Sequence, residues 1–275
     1  MAADYLFLPS LRALKIQQGY FMDKTPYFSA GRHRSTAVTD LQLFGCYEHH
    51  MSNSIEEVIL SISHLQRLVF ERNTAWQHHD PWRRVNMMGI ALAICEHRDS
   101  LEELIVANSD AAERHRPELS VTNLAGFGTL KKLVIPLSFI QKTPNKHLYE
   151  HLPATLETLQ REYSMDNQKI DEMLDERVNQ LQNLADSKEA ALPGLTHVIW
   201  WYQQKACHLP EDSDEGAMYG AEEAFEKLAQ QFDEVGVNFR WVSTPALKDT
   251  PLGRPLGITH SWSRDPPPFQ RWIWA

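Results

Sequence analysis

Cysteine is scarce in this chain. Its three copies, Cys46, Cys95 and Cys207, lie far apart, are odd in number and are never spaced as CxxC. That fits a reducing compartment with free, mostly buried thiols better than a disulfide framework. Long apolar runs are missing as well. The longest, at residues 90–95, is far shorter than the roughly 20 residues a membrane-crossing helix needs. The N-terminus carries Asp4 in place of a basic region, and the apolar run at residues 5–8 stops at Pro9, so no signal peptide is expected. These absences lead to the expectation of a cytoplasmic or nuclear protein without a membrane partner.

Positive charge is in deficit. Lys and Arg number 27 against 36 Asp and Glu, a formal net charge of -9, so the basic field that grips nucleic acid is lacking. Neither GxxxxGK[ST] nor GxGxxG occurs, and Gly126-Phe127-Gly128 reads as a turn ahead of a strand. HExxH is missing too, and His49-His50 and His78-His79-Asp80 read as loop histidines in place of metal ligands. Cys207-His208 sits beside acidic residues, which raise a thiol pKa when a nucleophile needs it lowered, and no third orienting group accompanies the pair. No catalytic residue, metal or cofactor is therefore assigned, and the chain is not expected to be an enzyme. A hydrolase using Cys207 or a loop histidine is the least favoured of three functional readings.

What is present is a repeat. Hydrophobic residues make up 43% of the chain, enough to bury a continuous core. One phrase recurs along it: apolar, two variable, apolar, one variable, apolar. Its copies are Leu11-Leu14-Ile16, Val38-Leu41-Leu43, Leu65-Leu68-Phe70, Leu101-Leu104-Val106, Leu130-Leu133-Ile135 and Leu195-Val198-Trp200. A weaker copy, Leu156-Leu159, carries Arg161 in its last slot, and Val237, Phe239 and Trp241 alternate like one more strand. The last two apolar positions of the phrase are two apart, so on a strand they share a face. One such strand cannot bury that face alone, whereas parallel stacking of successive copies gives a shared interior.

The phrase matches the leucine-rich-repeat consensus, which also asks for Asn or Cys three residues after the last apolar position. Cys46 and Asn73 meet this, while Ser109, Ser138 and Ser164 depart from it. A small polar side chain there can satisfy backbone groups as the chain leaves the strand. The longer gaps between copies carry helical stripes. Ser54 and Glu57 form a capping box ahead of Ile55, Val58, Ile59 and Ile62. Asp80 and Pro81 read as helix start signals ahead of Val85, Met88, Leu92 and Cys95. Ile170, Leu174, Val178 and Leu181 form a third stripe, and Phe225, Leu228, Phe232 and Val235 a fourth. Each is expected to pack on the sheet. Loops are expected at about 107–123 and at the acidic residues 211–215.

The expected fold class is thus α/β, a leucine-rich-repeat solenoid of irregular repeats over residues 1–243. The curved parallel sheet lines its concave side, and the right-handed crossover rule puts the helices on the convex side. Residues 244–275 differ in character. Pro245, Pro251, Pro255 and Pro266-Pro267-Pro268 preclude a regular helix, and Trp262, Trp272 and Trp274 suit a tail that packs back as a cap.

With its irregular repeats and long helical insertions, as in SIEEVILSISHLQRLVF and HRDSLEELIV, and with its LPGLTHVIWW and LPATLETL phrases, the chain resembles the leucine-rich-repeat half of fungal F-box proteins over roughly residues 5–243. The resemblance implies a substrate receptor of a ubiquitin ligase. The family's F-box, which docks the ligase adaptor, is not visible ahead of a first repeat that begins near Leu6, so an adaptor partner is expected only if an F-box is missing from this sequence. The alternative is an adaptor-independent scaffold or inhibitor that uses the same face.

Residues between the buried apolar positions should point to the concave side. Val69, Ile105 and Val134 form an apolar centre there, continued by Ile199. Arg67, Glu103 and Lys132 flank it on one side, and Phe44 and Trp201 lie on the other. An apolar centre with a charged rim is how protein interfaces are often built. These nine residues are the expected partner-binding set, unless the Trp-rich tail covers them.

Overall fold

A computed structural model describes residues 7–17, 19–21, 34–49, 54–72, 83–84, 87–108, 124–136, 147–165, 170–204 and 215–243. Eleven strands and five α-helices are assigned among them. The strands are β1 (Ala13–Gln17), β2 (Tyr20–Phe21), β3 (Asp40–Phe44), β4 (Tyr47–His49), β5 (Arg67–Arg72), β6 (Arg83–Arg84), β7 (Glu103–Asn108), β8 (Lys132–Pro136), β9 (Thr158–Met165), β10 (His197–Gln204) and β11 (Asn238–Ser243). The helices are α1 (Ser54–Ser61), α2 (Met87–Cys95), α3 (Ile170–Asp186), α4 (Lys188–Ala191) and α5 (Glu215–Glu234). A short 3-10 turn spans Leu148–His151.

Eight strands form one sheet in the order β1-β3-β5-β7-β8-β9-β10-β11. Every neighbouring pair is parallel, and each strand lies beside the next one of the sheet in chain order. The last two positions of the six copies, Leu159 and Arg161 of the weaker copy, and Phe239 and Trp241 all fall on these strands. In register, Leu14, Leu41, Leu68, Leu104, Leu133, Leu159, Val198 and Phe239 form one unbroken column, all buried. A strand with this alternation buries one face only by lying beside a copy of itself, and the column is the outcome.

The same backbone link recurs at six of the seven steps across the large sheet, and at the last, from β10 to β11, Thr196 O accepts the Asn238 amide alone. The carbonyl just ahead of one strand accepts two consecutive amides from the next. Thr39 O takes the N–H groups of Gln66 and Arg67 at 2.8 and 3.0 Å, Gln66 O those of Glu102 and Glu103, and Glu102 O those of Lys131 and Lys132. Side-chain hydroxyls repeat a second link. Ser100, Thr129 and Thr155 each precede the first leucine of a phrase, and each donates to the carbonyl of the first leucine one copy earlier: Leu65, Leu101 and Leu130, all at 2.9 Å. Gly194 holds this position in the next copy, where a Cβ would sit 3.5 Å from Leu156 O, an ordinary contact. Gly194→Ser is expected to extend the hydroxyl series and remove backbone freedom from the unfolded chain. A gain of about 0.5–1 kcal/mol, or about 2 °C in Tm, should appear in thermal unfolding.

The helices pack on the leucine side, since their buried residues join the same cluster as the column. α1 buries Ile55, Val58 and Ile59, with Ile62 just beyond it, as its periodicity predicts. α3 buries Leu181 and Leu184, and Val178 packs at the margin. α5 buries Phe225, Leu228 and Phe232. Phe232 stacks on Phe239 at 5.0 Å between ring centroids, and Phe225 stacks on Trp241 at 5.5 Å.

α2 departs from expectation. It begins at Met87, and Arg83–Arg84 form β6; Asp80, Pro81 and Val85 lie outside the described residues. Of the expected inward stripe, Met88 and Leu92 face out, 52% and 61% exposed, and Cys95 packs at the margin of the core, while Ile90, Ala91, Ala93 and Ile94 are buried. The segment MMGIALAIC is apolar nearly all round, so its spacing selects no face. Its rotation is set from outside. His97, just beyond the helix and buried, places Nε2 3.0 Å from the carbonyl of Ile59 in α1. Burial lowers the His97 pKa, and the Ile59 carbonyl offsets this only in part. A histidine kept neutral in the fold binds its proton more readily when unfolded. Stability is therefore full above the unfolded value of about 6.5 and falls as pH drops below it. Urea unfolding between pH 7.5 and 5.5 should show that slope, and His97→Gln should flatten it.

A small sheet, β2-β4-β6, lies beyond the first two main strands, with β2 and β4 parallel and β4 and β6 antiparallel. Nothing in the repeat predicts it. Gly45, at φ 59, separates β3 from β4. Cys46 follows, buried, with Sγ 3.7 Å from the carbonyls of Ile16 and Phe44, so the consensus position does satisfy backbone groups there. Asn73, Ser109 and Ser138, the loops at 109–123 and 211–214, and the tail at 244–275 lie outside the described residues, as does the side chain of Ser164.

Candidate protein-binding face

Each strand that sends leucine toward the helices sends its intervening residues to the opposite face. On that face the register builds parallel rows across the sheet. One runs Asp40, Arg67, Glu103, Lys132, Thr158, His197, and the next runs Lys15, Gln42, Val69, Ile105, Val134, Gln160, Ile199, Arg240.

The first row is a continuous ion-pair network over four strands. Arg67 Nη1 lies 3.3 and 3.2 Å from the two oxygens of Asp40, and Arg67 Nε donates to Glu103. The other Glu103 oxygen meets Lys132 Nζ at 2.5 Å. Gln42 donates to Asp40 at 3.1 Å. Strands about 4.8 Å apart bring side chains of matching register into contact, and alternating sign makes every neighbour attractive. Burial alone would push the Glu103 carboxyl up, but the hydrogen bonds and charges of Lys132 and Arg67 outweigh it and hold the pKa below the ordinary carboxylate value. The row remains partly open to water, with the Lys132 side chain 45% exposed.

The second row is different. Val69, Ile105 and Val134 are each 1% exposed and, with Phe44, form a cluster separate from the main core. The apolar centre is therefore assembled in register but is buried, so alanine there would cost stability before it tested binding. Lys15 Nζ stands 4.8 Å from the centroid of the Phe44 ring. Beyond Val134 the row is interrupted by Gln160, which is buried, before half-buried Ile199. Trp201 lies on β10 in register with Glu162, and its side chain is outside the described residues. Of the nine expected residues, Phe44, Arg67, Val69, Glu103, Ile105, Lys132 and Val134 are thus neighbours, and Ile199 and Trp201, on β10, are separated from them by β9. Asp40, Gln42 and Lys15 belong with the set. The sign alternation down the row was the signal for Asp40.

No known family model, curated protein or solved structure matches this chain.

Cys207, His50, His78 and His79 lie outside the described residues, and His49 sits on β4. Among the described residues no group of three or more His, Cys, Asp or Glu side chains is arranged to hold a metal ion. The half-buried Cys95 thiol is pushed up by its burial and by Glu96, the opposite of what an activated thiolate requires. No helix among the described residues is long and apolar enough to cross a membrane.

Proposed function

We propose that the chain is a leucine-rich-repeat solenoid that acts by holding another protein against the sheet face opposite its helices. The repeated phrase, the one-way parallel order and the identical link at six of the seven steps support the architecture. The observation that carries the binding role is the row Asp40, Arg67, Glu103, Lys132. It sets two acids and two bases in line across four strands, partly open to solvent, beside an apolar cluster. A row balanced in charge offers no bulk field to a polyanion, but it discriminates between partners through the order of its charges. By its resemblance to fungal F-box leucine-rich-repeat proteins, the partner is a protein destined for ubiquitination, and no step of catalysis falls to this chain.

The test compares the full chain with Lys132→Glu as bait for proteins of the source cell. Lys132 makes no contact with Arg67 itself; the two share Glu103. Loss of a specific partner by tenfold or more, with an unchanged circular dichroism spectrum, supports the reading, and equal capture by both refutes it. Co-purification of a ubiquitin-ligase adaptor with the full-length gene product then distinguishes a receptor from an adaptor-independent scaffold or inhibitor.

A further inference from the structure

The ion-pair row belongs to a longer pattern at the end of the sheet where the chain enters its strands. Two residues stand in register at each entry, the one in the row and the one before it. β1 brings Arg12 and Ala13, β3 Thr39 and Asp40, and β5 Gln66 and Arg67. β7 brings Glu102 and Glu103, β8 Lys131 and Lys132, and β9 Glu157 and Thr158. Strand by strand, the charge runs plus, minus, plus, minus, plus, minus. The entries of β10 (Thr196, His197) and β11 (Val237, Asn238) bring no fixed charge, so the pattern stops there. Arg12, Glu102, Lys131, Lys132 and Glu157 are exposed, and Asp40, Arg67 and Glu103 are partly open. Four bases against four acids give this rim 4 − 4 = 0 in a chain of net -9. Arg98 and Asp99, in the turn ahead of β7, lie 3.9 Å apart and cancel.

We infer that two copies of the chain associate through this rim, about a two-fold axis that passes between β5 and β7. An alternation over six places, read backwards, is its own complement, and a two-fold axis reads it backwards. Arg12 then faces the partner's Glu157, Asp40 faces the partner's Lys131 and Lys132, and Arg67 faces the partner's Glu102 and Glu103. Each pairing is made twice, so all six entries meet the opposite sign. Spacing selects a second copy as well. The six strands span about 24 Å at roughly 4.8 Å per step. A helix advances about 5.4 Å per turn and a strand about 6.8 Å between residues on one face, so charges carried by either drift by about 3 and 10 Å over that length. A second copy has the same step and does not drift. The net charge of -9 on each copy opposes association, but the rim itself is neutral, and charges farther than about 8 Å are screened at physiological ionic strength. The inference does not rest on the capture role proposed above. A dimer of this kind occludes the row, so the second copy and a captured protein compete for it.

Sedimentation velocity on the purified full chain tests the inference. A monomer–dimer equilibrium is expected, weakened about tenfold as sodium chloride rises from about 50 to about 500 mM. Arg12→Glu and Glu157→Arg each set like charges together at two places in the dimer and should weaken it about tenfold or more. An equimolar mixture of the two variants should recover the native strength, because every pair in the mixed dimer is again opposite in sign. Arg12 also donates to the carbonyls of Pro9 and Ala37, so Lys131→Glu, at an exposed position, serves as a second variant with the same expected loss. A native chain that stays monomeric at every concentration, variants that dimerise as the native chain does, or a mixture that recovers nothing overturns the inference. These readouts use the chain alone, and neither Arg12 nor Glu157 belongs to the four-residue row, so they succeed or fail independently of the Lys132→Glu capture experiment.

Discussion

Leu104→Ala is expected to destabilise the chain by about 2–5 kcal/mol. Leu104 is fully buried in the fourth strand of the sheet, in register with Leu68 on one side and Leu133 on the other. Truncation removes its transfer free energy and leaves a cavity that strands tied by backbone links on both sides cannot close. A denaturant titration reads the loss as a lower midpoint. The adjoining substitution is the more informative one. Ile105 follows Leu104 but faces the other way, and it is equally hidden at 1% exposure. Ile105→Ala is therefore expected to cost nearly as much, again about 2–5 kcal/mol. A loss below about 0.5 kcal/mol is what an open surface position would give, and it would show the second face to be uncovered.

The second large effect is expected at Arg67, which contacts carboxylates on both neighbouring strands. Arg67→Met keeps much of the side chain's length and removes its charge. Asp40 and Glu103 are then left half-buried, each without its shared cation. Allowing for solvent screening, the cost at pH 7 is about 1–2 kcal/mol. The pH dependence follows from Glu103, whose pKa lies below its ordinary value in the fold. The stabilisation is present above the unfolded value of about 4.3 and is lost as pH falls through the lower folded value. In Arg67→Met only Lys132 still holds Glu103 down, so the acid-dependent loss should be smaller than in the native chain. Unfolding titrations at pH 7 and pH 3 check both points: the two proteins should differ clearly at pH 7 and converge at pH 3.

Much of the fold was legible because a single phrase sets strand, face and register together. Once Leu41, Leu68, Leu104 and Leu133 are recognised as equivalent, their column follows, and the row Asp40, Arg67, Glu103, Lys132 follows from counting one residue back. Weak copies were legible too. Arg161 takes the last apolar slot of its copy and is buried, its guanidinium 5.7 Å from the centroid of the Trp200 ring on the adjoining strand. Two features were not legible. The rotation of α2 depends on the contact between His97 and Ile59, made across 38 residues, and no periodicity within MMGIALAIC encodes it. The concealment of Val69, Ile105 and Val134 depends on what lies above the sheet, whereas a strand pattern states only which side a residue takes. Expecting the apolar centre of that side to be open was an inference from architecture, and burial reversed it there, while the charged row alongside stays partly open.

The recurrent link from a carbonyl to two amides of the adjoining strand, made at six of seven steps, makes length an independent variable of this design. Each strand of the large sheet pairs through its backbone only with its immediate neighbours. Grafting in one more strand with its connector would lengthen the array by about 4.8 Å and leave every other junction chemically the same. Reach across a partner can thus be adjusted in increments, without redrawing the interior.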